Sequence, residues 1–174
     1  MFATTQPAQV LPIAQVGEAI LTRKALTVAH FDAQLAYLAA QMLATMHQAN
    51  GVGIAAPQVN SPLAVFILAS RPNPRYPDAP EMTPVVVVNP EILSRSEAML
   101  LGEEGCLSVE GKRFTIARHA AIEVQYQDVQ GHQHRTELSG FVARIFQHEY
   151  DHLQGITLLE RVKMPEQALA GALL

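Results

Sequence analysis

The five residues "HEYDH" at positions 148–152 restrict the possible folds of this chain more than any other stretch. Residues four apart in an α-helix lie on one side of it, so a helix here brings His148 and His152 together with their ring nitrogens free to converge on one cation. Glu149, directly after the first histidine, can then act as general base on a water molecule at that site. The surrounding run "FVARIFQHEYDHLQG", residues 141–155, places Phe141, Val142, Ile145 and Phe146 on an apolar face and ends at Gly155, a natural helix stop. Phe146 and Leu153 put the helix in the core, where a His-Glu-His cluster without a cation would bury unpaired polar atoms. The remaining elements must therefore pack around a metal-binding helix over about 140–154.

A cation held this way needs a third ligand. In the extended peptidase pattern H-E-x-x-H-x-x-G-x-x-H, Gly155 falls in register, but Leu158 stands where the last histidine should be. The ligand is expected upstream instead, at Cys106 in "GEEGCLSVEG", the one cysteine of the chain. Two imidazoles and one thiolate leave a tetrahedral ion one open position, the arrangement of catalytic rather than structural sites. A metal-dependent peptidase and a non-catalytic metal- or peptide-binding module are the rival readings. The missing histidine argues against the first, and the presence of Glu149 and Gln58, which no metal needs as ligands, against the second.

With 174 residues, the chain is expected to form a single domain, 1–174, with a core that needs no disulfide. A formal charge of −4 and no clustered basic face exclude nucleic-acid binding as the main activity. No run of about 18 apolar residues occurs and the first basic residue is Arg23, so no membrane span or secretory signal is expected and the location is read as cytoplasmic.

Spacings of three and four at Leu35, Leu38, Met42 and Met46 predict an N-terminal helix over about 32–49, capped by Asp32 and stopped by Asn50-Gly51, with its methionines in the core. "LAVFILA" (63–69) and "PVVVVNP" (84–90) predict short buried strands, and the four prolines of "SRPNPRYPDAPEMT" (70–83) predict a surface loop between them. The alternation in "AIEVQYQ" (121–127), followed by "HQHRTELS" (132–139), predicts a hairpin with one wet face, on which His132 and His134 are solvated. The order of elements gives an α+β fold of small antiparallel or mixed β-sheets around the metal-binding helix.

"GVGIAAPQV" (51–59) also fits the dinucleotide fingerprint G-x-G-x-x-G/A. That fingerprint requires a strand before it and a helix opening from it. Here a helix precedes it and Pro57 would fall inside the first turns of the phosphate-binding helix, so the nucleotide reading fails.

Three blocks in order, "GVGIAAPQ" (51–58), "EGCLS" (104–108) and "QHEYDHLQG" (147–155), resemble the peptide deformylases, and the likeness extends from "VLPIAQVGEAIL" to "GITLLERV". The resemblance implies removal of the N-formyl group from the initiator methionine of new polypeptides, releasing formate. Cys106, His148 and His152 would hold the metal, Glu149 would be the acid/base, and the Gln58 amide with the Leu107 N–H would stabilise the oxyanion. It further implies Fe2+ as native metal, with Zn2+, Ni2+ or Co2+ able to take its place, and N-formylmethionyl nascent chains near the ribosome as partners of a monomer or weak homo-oligomer.

Substrate contacts are expected at Val52, Gly53, Glu104 and Gly105, with Phe141 and Ile145 beside the methionine side chain. Of Arg113 and Arg118, one is expected at the substrate, Arg113 in this assignment, and the other paired with Asp151 or Glu103. Two departures stand out: Glu110 replaces a common proline after the cysteine block, and "VGEAIL" replaces a proline-containing turn near residue 17.

Overall fold

The computed structural model describes residues 7–167. The predicted first helix is α1 (Ala33–Gln48), whose N-terminus is capped by Asp32 Oδ1 accepting from the Leu35 N–H at 3.0 Å. At its end Asn50, with φ of 56°, takes the left-handed conformation and turns the chain toward β1 (Gly53–Ala55). β1 leads into a single 3-10 turn, Ala56–Val59, with Pro57 near its start. The glycines of "GVG" thus lie before and at the start of a short strand, and no phosphate-binding helix follows.

Next come β2 (Val65–Leu68) and β3 (Val85–Arg95), the latter longer than the apolar run that predicts it. β6 (Ala121–Gln127) and β7 (Gln133–Ser139) form the expected hairpin. These strands make one antiparallel sheet in the order β1-β2-β3-β6-β7. Its sequence signature follows from what covers it. Val65 and Ile67 of β2 face the α1 side with Leu35, Met42 and Met46, whereas Phe66 and Leu68 face the other side. A strand buried on both faces is apolar throughout, which is why "VFIL" shows no alternation. β7 lies at the sheet edge and is largely exposed; His132 and His134 both lie against Asp128 at the hairpin tip.

Helix α2 (Gly140–Leu153) crosses the second face. Ala143, Ile145, Phe146 and Leu153 pack there with Phe66, Val87, Ile122 and Val124, and the Phe146 and Phe66 rings meet edge to face at 4.9 Å. A separate hairpin, β4 (Met99–Cys106) with β5 (Val109–His119), packs against α2 away from that sheet. These two strands are absent from the sequence expectation. Their glycines and glutamates are poor strand formers, and pairing rather than local preference makes them extended. A short helix α3 (Leu158–Arg161) follows. No described helix is long and apolar enough to cross a membrane. The apolar segment 168–174 lies outside the described residues.

Gly155 is the stop after α2, with φ of 76°, and a Cβ there would come within 2.8 Å of the Thr22 backbone. Gly155→Ala is therefore expected to destabilise by about 2 kcal/mol or more, since left-handed strain and a backbone clash add. Urea unfolding measures this, and a loss under about 0.5 kcal/mol would contradict the close approach.

Candidate metal centre

Helix α2 presents His148, Glu149 and His152, and β4 delivers Cys106 at its last residue, before a two-residue turn of Leu107 and Ser108. The ligating atoms of Cys106, His148 and His152 all lie within 4.8 Å of one another, and Cys106 Sγ is 3.4 Å from His152 Nε2. Burial opposes ionisation of the Cys106 thiol, yet His152 and His148 overcome it and hold the thiol well below its ordinary value. His148 is held well above its own, because Cys106 and Glu104 outweigh the effect of burial. A thiolate facing two imidazoles is the charge pattern in which a divalent cation can take the place of protons. His148 Nδ1 is 2.8 Å from Glu104 Oε1, which turns its other nitrogen toward the cluster, as carboxylates behind ligating histidines do. The donor set therefore fits a metal ion.

Glu149 is 4% exposed, and its Oε2 has no hydrogen-bond partner among the described residues. Burial removes the water that would solvate the carboxylate and pushes its pKa up to about 7, despite the opposing pull of His148 and His152. Gly53 makes room for it: a Cβ there would lie 2.7 Å from Glu149 Oε1 and 2.9 Å from Ile145 Cγ2. The absence of a side chain at Gly53 thus has a cause within the protein, independent of any substrate. Gln58 is oriented from both ends. Its Oε1 accepts from the Ala55 N–H at 2.9 Å, so its NH2 must face the other way, where it donates to Ser108 Oγ at 3.0 Å and lies 3.6 Å from Cys106 Sγ.

Beside these groups is a cavity of about 40 Å3 lined by Val52, Gly53, Phe141, Ile145 and His148, among others. It borders a groove of about 780 Å3 between residues 10–15 and the β4–β5 turn, with Gly105, Leu107 and Arg113 along its side. Glu104, expected among the substrate contacts, lines the 40 Å3 cavity too, with its carboxylate turned to partners inside the protein. It is 3% exposed, and its carboxylate accepts from Arg118 Nε and Nη2 (both 2.9 Å), Arg144 Nη1 (2.7 Å) and His148. That carboxylate is fully engaged within the protein. Arg118 also pairs with Asp151 at 2.6 Å, while Arg113 lies 3.6 Å from Glu103, so Arg118 is the structural arginine of the two and Arg113 borders the groove.

Sequence reasoning missed Arg144, which joins Glu104 to the carbonyls of Leu100 and Ile116, and Ser108, which receives Gln58. Arg144 could have been found as a lone charge one turn before His148 on a helix already placed in the core. Ser108 stood inside the quoted "EGCLS".

The fold and the centre together define a metal-dependent hydrolase in which a helix supplies two histidines and a buried carboxyl. Residues 10–168 match the family model described as polypeptide deformylase, and the chain belongs to that family. It is 64% identical over 163 residues to peptide deformylase 2 of Shewanella oneidensis, covering 94% of this chain and 90% of that protein. A class I type b peptide deformylase from Acinetobacter baumannii, solved with Met-Ala-Ser bound, superposes with a TM-score of 0.87 at 54% identity, over 88% of this chain and 99% of that one. The Thermotoga maritima enzyme gives 0.81 at 35% identity, over 90% and 99%. This chain is accordingly an enzyme that removes the N-formyl group from nascent polypeptides, and the family is metal-dependent.

Glu104→Gln is expected to lower stability by about 3 kcal/mol, because Arg118 and Arg144 would stay buried without their shared anion. It should also weaken metal binding about tenfold or more by releasing His148. Urea unfolding and metal titration measure the two effects, and an unchanged unfolding midpoint would contradict the role given to this carboxylate.

Proposed function

We propose that residues 1–174 act as one catalytic domain in which Cys106, His148 and His152 hold a single Fe2+, with Zn2+, Ni2+ or Co2+ able to replace it. A thiolate with two imidazoles suits all four, so the donor set leaves the choice to availability and geometry, and iron follows from the family resemblance. When bound, the ion would supply Lewis acidity and make water a nucleophile at neutral pH. The observation that carries the proposal is the buried, unpartnered Glu149 Oε2 beside three convergent ligands.

Glu149 takes the proton of the attacking water and returns it to the departing amine. Burial, which works against the ionised form of this carboxyl, suits it to accept and return a proton. Charge developing on the formyl oxygen is met by the Gln58 NH2, whose direction the Ala55 N–H fixes, and by the backbone N–H of Leu107. The Gln58 NH2, which donates to Ser108 Oγ and lies near Cys106 Sγ, turns one N–H from these partners to the oxyanion. The methionine side chain enters the cavity between Val52, Phe141 and Ile145, and the following residues run along Gly53 and Gly105 toward Arg113. The Met-Ala-Ser bound to the similar Acinetobacter enzyme supports a peptide of this kind. The substrates are N-formylmethionyl chains as they leave the ribosome, and the protein works in the cytoplasm as a monomer or weak homo-oligomer.

Anaerobically purified, iron-loaded protein is expected to release amine from a formyl-Met peptide, and neither from its acetyl analogue nor by cutting an internal bond. Cleavage of the internal bond would sink the proposal. Glu149→Gln should keep one metal per chain and lose about a hundredfold or more in kcat; activity within tenfold of wild type would remove Glu149 from its role. Cys106→Ser should weaken or change the bound metal, as elemental analysis reads directly.

A further inference from the structure

The proline-rich segment 70–83 contains no helix or strand, yet hydrogen bonds hold it at base and tip. Ser70 Oγ donates to the Pro80 carbonyl at 2.6 Å and the Met82 N–H donates to the Ser70 carbonyl at 3.1 Å, closing the base. At the tip, Asn73 Oδ1 accepts from the N–H groups of Arg75 (3.0 Å) and Tyr76 (3.2 Å). Four prolines, at 72, 74, 77 and 80, further limit what the backbone can do. The result is a braced arch with Tyr76 at its tip.

Tyr76 reaches three separate elements. Its ring centroid is 4.8 Å from that of Phe141 on α2. The Arg113 guanidinium carbon of β5 lies 4.9 Å over the same ring. Its hydroxyl accepts from the Gly105 N–H of β4 at 3.3 Å. Tyr76 also lines the 40 Å3 cavity, and its neighbours there, Arg75 and Gly105, line the groove as well. One side chain therefore lines the cavity beside Phe141 and ties down the β4 backbone at Gly105, and an aromatic ring held at three points resists displacement by a larger guest.

We propose that Tyr76 is a specificity-determining residue: its ring, packed on Phe141, is a wall that fits the cavity to an unbranched apolar side chain and rejects bulky ones. The proposal rests on the assignment of that cavity to the methionine side chain. In effect, a segment that resembles a plain connector supplies part of the discrimination.

The test compares kcat/KM for formyl-Met-Ala-Ser and formyl-Phe-Ala-Ser in the wild type, Tyr76→Ala and Tyr76→Phe. Tyr76→Ala is expected to lose about tenfold on the methionine peptide, chiefly through KM, and nothing on the phenylalanine peptide, so the preference shrinks about tenfold. Tyr76→Phe keeps the ring, so its preference should stay within about twofold of wild type. A purely structural role would depress both substrates in parallel, and an unchanged ratio in Tyr76→Ala overturns the proposal. Should that variant unfold, Tyr76→Leu reads the same ratio without the ring. A selective wild type with an unaltered Tyr76→Ala ratio removes Tyr76 alone, whereas a wild type that does not prefer methionine removes the cavity assignment and this inference with it.

Discussion

The Glu104 carboxylate is buried among Arg118, Arg144 and His148, and the geometry of the centre depends on it. An isolated carboxylate at that depth would be too costly to keep. Its cationic partners hold it ionised, well below the usual carboxylate range against the effect of burial. Arg118 continues the cluster to Asp151, and Asp151 to Arg161, so β4, β5, α2 and α3 meet in one polar seam. The apolar contact in this region is modest, chiefly Cys106, Val109, Ile116 and Leu158. Directional charge-assisted bonds therefore set where the β4–β5 hairpin docks, with a specificity that apolar packing alone would not give. Gly102 belongs to the same seam, since a Cβ there would stand 2.8 Å from the Arg144 guanidinium carbon.

Helix α2 is consequently held from two sides by different physics. Ala143, Phe146 and Leu153 seat it on the five-stranded sheet by packing. Arg144, Gln147, His148 and Asp151 tie it to the hairpin by hydrogen bonds, Gln147 exchanging both of its amide ends with the His119 backbone. The ligands occur on the boundary between the two regimes. There the packed face supplies rigidity and the polar face supplies orientation, while Glu149 sits deep enough to lose its water.

Much of this was legible in the sequence because local patterns are enough for it. The i, i+4 histidines, the Asp32 cap, the Gly155 stop and the doubly buried "VFIL" each follow from spacing or composition within one element. What stayed hidden depends on pairs far apart in the chain. β4 and β5 are extended only because they face each other, and the ion pairs of Glu104 are invisible until Arg118 and Arg144 arrive from 14 and 40 positions away. Tyr76 is illegible for the same reason: its partners Phe141, Arg113 and Gly105 come from three other elements.

The two-residue turn after Cys106 has a consequence for redesign. The sulfur ligand, the Leu107 amide and the Ser108 hydroxyl that anchors Gln58 are consecutive residues of one rigid corner. In the proposed mechanism, affinity for the ion and stabilisation of charge on the reacting oxygen are thus not independent modules. A designer who exchanges the thiolate for a ligand of different reach must also rebuild the corner, or the amide donors will shift with it.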